Sequence, residues 1–157
     1  MQRCILSFNN RAEILELPVP LQEWQLNSPH NTYNFTTLEV GDIKAIGGTK
    51  LKTLTIDSFF PSKEYPFLVT KNLIEPWICY NMIERWRLSK KPIRVVIVGT
   101  DINLAMAIEK FSVKKENSDG SGDLYFTLEL EEYRFLNVDK VGNTNKVNSF
   151  TGLRERP

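Results

Sequence analysis

The chain has 157 residues, 41% of them hydrophobic and 25% charged, the size and balance of one globular domain around a single core. With 20 Lys and Arg against 19 Asp and Glu the formal charge is +1, so no overall field draws the chain to nucleic acid or an anionic membrane. No apolar run approaches the roughly 20 residues of a membrane helix, and residues 1–10 lack the apolar stretch of a secretory signal, so synthesis in the cytoplasm is expected.

Cys4 to Phe8 and Ala12 to Leu17 are short apolar segments joined by Asn9-Asn10-Arg11, whose asparagines tolerate a left-handed turn; an N-terminal hairpin is predicted. Pro18 and Pro20 end it, Glu23 to Asn27 around Trp24 forms a further short strand, and Asn27 to Thr32 reads as a loop. Leu38, Val40, Ile43 and Ile46, interrupted by Gly41-Asp42, suggest one irregular or bulged strand before Gly47-Gly48. From Lys50 to Phe59 the alternation sharpens, with Leu54 and Ile56 on one face and Thr53, Thr55 and Asp57 on the other.

One helix is predicted, starting between Asn72 and Pro76 and running to about Ser89, with Ile78, Cys79, Met82, Ile83 and Trp86 as its apolar stripe. Lys90-Lys91-Pro92 closes it. Ile93 to Val98 reads as a central strand covered on both faces, and Gly99-Thr100-Asp101 as a turn. Leu104 to Lys110 has mixed propensity and is assigned as strand by its position; Phe111 and Val113 continue it on the opposite parity, which implies a bulge. Asn117 to Asp123 forms a hairpin tip, and the return strand places Leu124, Phe126, Leu128 and Leu130 on one face. The division expected is a β domain over 1–136 and a polar linker or tail over 137–157.

Sites for chemistry are sparse. His30 is the single histidine, in a polar stretch with no nucleophile motif pointing to it, and reads as a solvated loop residue. Cys4 and Cys79 lack metal-ligand spacing and read as buried free thiols. Gly47-Gly48-Thr49-Lys50 lacks the spacing of a phosphate loop, and Leu130 stands where a calcium loop opened by Asp119, Ser121 and Asp123 needs glutamate. Glu129, Glu131 and Glu132 lie too close along one strand to flank a substrate, and Trp77, Tyr80 and Trp86 read as core. Thus no enzyme and no cofactor are expected. Arg85, Arg87, Lys90, Lys91 and Arg94 gather positive charge at the end of the helix, either as a solvated face or as a protein contact; nucleic acid is disfavoured because no aromatics interleave with them.

Several segments occur in an order and spacing that resemble a known family: Pro18 to Trp24, Ile43 to Gly48, Lys50-Leu51-Lys52 leading to Ser58-Phe59-Phe60-Pro61, Tyr65-Pro66, Trp86 to Arg94, Gly99 to Asn103, and Gly120 to Arg134. Together they resemble the N-terminal domain of LysM-containing tail and baseplate proteins of Gram-positive phages, defective prophages and phage-tail-like bacteriocins. The resemblance implies a mainly β (α+β) fold, a tail-tube-like β sandwich or barrel with one flanking helix. It implies a structural baseplate subunit of a contractile tail, of the tube-initiator or hub-adaptor type. Such a subunit forms a ring, a hexamer by analogy with tail-tube rings, joining the tail tube to the hub and spike, with sheath or wedge proteins as further neighbours. It would be made in the bacterial cytoplasm and built into a virion or tail-like particle, without nucleic-acid or membrane partners. The alternative is a peptidoglycan-binding module of a tail protein; no LysM-like segment follows Val141 to Lys146, so that activity is not carried over.

Overall fold

The computed structural model describes residues 2–115 and 122–136. Among these, nine strands and one helix follow in the order β1 (Cys4–Phe8), β2 (Glu13–Glu16), β3 (Glu23–Asn27), β4 (His30–Thr37), β5 (Gly41–Thr49), β6 (Thr53–Phe60), α1 (Pro76–Leu88), β7 (Ile93–Ile97), β8 (Asn103–Lys115) and β9 (Leu124–Glu132). Seven strands form one antiparallel sheet in the order β2-β1-β7-β8-β9-β6-β3. Between its margins, the Leu21 N–H donates to the Gln2 carbonyl at 2.8 Å, and the Trp24 indole N–H to the Gln2 side-chain oxygen at 2.7 Å. These bonds bring the approaches to β1 and β3 together, so the sheet is rolled. Of the two forms expected, the barrel is the closer.

Alternation decides which side faces in. Leu54 pairs with Leu130 and Ile56 with Leu128, all buried. Leu6, Val95 and Met106 continue the same layer through neighbouring strands. The helix adds Cys79, Ile83 and Trp86 to this core, the Trp86 ring stacking on Phe8 and Tyr80 on Phe111. Pro76 opens the first turn, where a missing N–H costs nothing. Ser89 caps the end with its hydroxyl on the Trp86 carbonyl at 2.6 Å, and Lys90 takes a left-handed φ of 63° to turn the chain out.

The N-terminal hairpin is present, with Asn9, Asn10 and Arg11 all at positive φ. The bulge inferred from the parity change is found between Ile108 and Lys110, where Glu109 is the extra residue. Other expectations need correction. The segment 38–46 is no single bulged strand: the chain reverses there, and β4 and β5 form a hairpin, so His30 lies in a strand. Strand β7 is central in the sheet but covered on one face only, because Arg94 and Val98 are exposed and Val96 half-buried. Ile78 lies off the apolar stripe and is exposed, as is Trp77. The tip predicted at Asn117 to Asp123 falls outside the described residues except for Gly122 and Asp123, as does the whole 137–157 tail.

Candidate assembly surface

Strands β4 and β5 form a separate two-stranded sheet whose residues pair with each other and, among the described residues, with no strand of the barrel. We call this hairpin the arm. Tyr33 opposes Ala45 and Phe35 opposes Ile43, so these four share one apolar face, while Thr32, Asn34, Thr36, Asp42 and Lys44 occupy the other, with the exposed Ile46 opposite Thr32. In a soluble monomer such a face belongs against a core, yet Tyr33 is 60% exposed and Phe35 49%. At the tip Leu38 is fully exposed, Val40 is 75% exposed, and Gly41 reverses the chain at φ 87°. A lone two-stranded hairpin is marginal in water. This one is anchored at its base, where the Arg134 guanidinium donates to the Thr49 hydroxyl at 2.9 Å and to the Lys50 carbonyl at 3.1 Å. The Lys50 N–H reaches the Pro29 carbonyl at 3.1 Å, and the His30 ring Nε2 sits 2.9 Å from the Gly47 carbonyl.

Alternation along the 38–46 stretch is visible in the sequence, but Leu38 and Val40 lie in the turn that joins the two strands and only Ile43 and Ile46 lie on β5. Thr36-Thr37 and Gly41-Asp42 were the signal: the Thr36 hydroxyl donates to the Asp42 carboxylate at 2.7 Å and the Val40 N–H to the Thr37 hydroxyl at 3.2 Å.

The five cations singled out from sequence differ in their partners within the chain. Arg85 holds Glu13 in a two-point pair and Arg87 holds Glu84 within the helix. Arg94 reaches the Asn103 side chain at 3.3 Å. Lys90 and Lys91 are exposed. Lys91 and Arg11 line a groove of about 940 Å³ on the outer face of β1, β2, β7 and β8, whose floor carries Ile5, Ile14, Val96 and Ala105 together with Arg94, which stands between Ser7 and Ala105. Phe135 walls it on the side where the chain leaves β9.

The remaining polar groups are structural. The Asp123 carboxylate is buried and accepts from the Ser62 N–H at 2.7 Å, the Ser62 hydroxyl at 2.9 Å and the Tyr65 hydroxyl at 2.5 Å. Glu132 accepts from the Lys52 N–H at 3.1 Å, and Glu129 lies 4.0 Å from Lys110. Partial desolvation raises the Glu109 carboxyl above the usual range, and the adjacent Glu131 raises it further. Burial pushes the free thiols of Cys4 and Cys79 up to about 12 and about 11. Among the described residues no group of three or more His, Cys, Asp or Glu is placed to hold a metal.

The family model for Dit-like phage tail proteins matches residues 46–144. The chain belongs to that family. A relative from Bacillus subtilis (strain 168), the uncharacterized protein YqbP, is 31% identical to this Dit-like chain over 132 residues, 84% of this chain and 60% of its own. The chain thus spans about three fifths of that relative's length. Among solved structures, a chain of the virion of the native gene transfer agent particle aligns at a TM-score of 0.51 with 11% identity, over 84% of this chain and 92% of that one. The likeness is one of fold. A chain in the cryo-EM structure of the anti-feeding prophage baseplate aligns at 0.49 with 13% identity, over 85% and 89%.

Proposed function

We propose that this Dit-like chain is a structural subunit of a phage-type contractile tail, assembling as a ring, six copies in our reading, at the junction of tail tube and baseplate hub. The observation that carries the reading is the arm: an amphipathic hairpin with its apolar face in water, uncovered by any element among the described residues, in a member of a phage tail family. Burying such a face against another subunit removes apolar area from water at roughly 25 cal/mol per Å². The barrel body, residues 1–136, is the assembling unit in this reading, and residues 137–157 are a connecting segment. Shape and adhesion are its work, and no reaction is assigned to it. Tube, hub and neighbouring baseplate proteins are its proposed partners.

Cryo-EM of native particles is the test, with the chain located by a tag. Density for it in a ring at the tail tip is the expected result. Intact, infective tails from a strain lacking the gene, or label elsewhere on the particle, would overturn the proposal.

A further inference from the structure

Two unpartnered surfaces of this chain complement each other. The first is the tip of the arm, where Leu38 and Val40 project apolar side chains on either side of Glu39. Glu39 has no cationic partner among the described residues. The second is the outer-face groove, with its apolar floor of Ile5, Ile14 and Val96, and with Arg11 and Lys91 on its rim. Neither of these two cations has an acidic partner among the described residues. We propose that the arm tip of one copy seats in this groove of a second copy, Leu38 and Val40 on the floor and Glu39 between Arg11 and Lys91.

Size and reach agree with this. About 940 Å³ is at the upper end of the roughly 300–1,000 Å³ of clefts that enclose a small ligand, so a tip of three side chains fits. Eight-residue β4, at about 3.3 Å per residue, carries the tip roughly 25 Å from the arm's base. The left-handed turn at Asn9 to Arg11 fixes the backbone at one end of the groove, so the Arg11 side chain starts from a set position. Because tip and groove are different surfaces, the contact is head-to-tail, and repeated contacts of that kind close into a ring or extend into a filament. The contact rests on the ring reading above and specifies its interface.

Charge exchange tests it on the full chain. Glu39→Lys, or Arg11→Glu with Lys91→Glu, alters exposed side chains only, and circular dichroism checks that each variant keeps the fold. In sedimentation velocity near 0.1 M salt, wild type should self-associate and each variant alone should do so at least tenfold more weakly. Mixing the two variants should restore assembly with the two alternating, since the tip carrying Glu39→Lys meets an acidic rim and the Glu39 tip of the other variant meets a basic one. A Leu38→Cys copy should also crosslink to an Ala105→Cys copy. Wild-type assembly with unaffected variants, failure of the mixture to assemble, or absence of the crosslink between positions 38 and 105 overturns the tip-in-groove contact and leaves the ring reading standing. A wild type that stays monomeric at millimolar concentration overturns both.

Discussion

Arg85 on the helix and Glu13 at the start of β2 meet in a two-point pair, the guanidinium Nη1 and Nη2 donating to the two carboxylate oxygens at 2.9 and 2.5 Å. The pair ties α1 to the N-terminal hairpin at the residue before Trp86, the largest wholly buried side chain. The Trp86 indole N–H has no hydrogen-bond partner among the described residues, yet lies close enough to Glu13 to add a smaller pull on its carboxyl.

The Arg85 hydrogen bonds hold the Glu13 carboxyl below the usual range. A depressed carboxyl contributes stability above the unfolded value, roughly 4.3, and loses it as pH falls through the folded one. Glu13→Gln should therefore be less stable than wild type at pH 7, and the gap should close in acid. Urea denaturation at both pH values measures it, and a gap of constant size would show that the pair is not its source. Because the pair is internal, Glu13→Gln should leave self-association unchanged.

Asp123 secures the loop that follows β6. Its carboxylate takes the Ser62 N–H, just past the end of that strand, together with the hydroxyls of Ser62 and Tyr65. Removing the acceptor takes these three hydrogen bonds from the loop, at a cost of about 1–3 kcal/mol. Asp123→Ala should lower the denaturation midpoint accordingly, and Tyr65→Phe, which removes one of these three bonds, should lower it less. Equal losses from both would mean that the Tyr65 contact carries the whole effect.

The reach of the sequence can be read from such residues. Strands β6 and β9 alternate cleanly because each covers the core on one side, so Leu54, Ile56, Leu128 and Leu130 are legible by period alone. The bulge at Glu109 is legible because it shifts that period. The arm is not, since both of its faces meet water and no core imposes a pattern on His30 to Thr37. The role of Asp123 is hidden for another reason: the sequence places it at the end of a polar hairpin tip, whereas its carboxylate is buried and its partners lie some 60 residues away along the chain. Pairing at Arg85 and Arg87 is likewise hidden, because sequence does not show which cations already have acidic partners.

Cys4 and Cys79 give a direct probe of the core. Both thiols are buried, and burial raises them to about 12 and about 11. The thiolate is the reactive species, so a disulfide reagent at pH 8 should leave the native protein unlabelled and modify both thiols on unfolding. The thiols' contribution to stability should be constant below their unfolded value of about 8.5 and fall as pH rises from there toward 11 and 12. Rapid labelling of the native protein by a thiol reagent would show that the rolled sheet opens between β1 and the helix.

Arg134 decides whether the arm behaves as a rigid lever. It leaves β9 two residues after the strand ends and places its guanidinium on the Thr49 hydroxyl and the Thr49 and Lys50 carbonyls, at the junction of arm and barrel. Among the described residues this is the side-chain contact by which the end of β9 holds the arm. Arg134→Ala removes donors from an exposed site, so each lost bond should weaken the base by about 1 kcal/mol or less. That corresponds to roughly fivefold faster hydrogen exchange at amides of residues 30–49, with the barrel amides of β6 and β9 unchanged. The lever also orients the tip, so the same variant should weaken self-association even though neither tip nor groove is altered. Accelerated exchange with undiminished association would mean that the arm finds its partner without a fixed base, and uniform exchange throughout would mean that Arg134 braces the barrel instead.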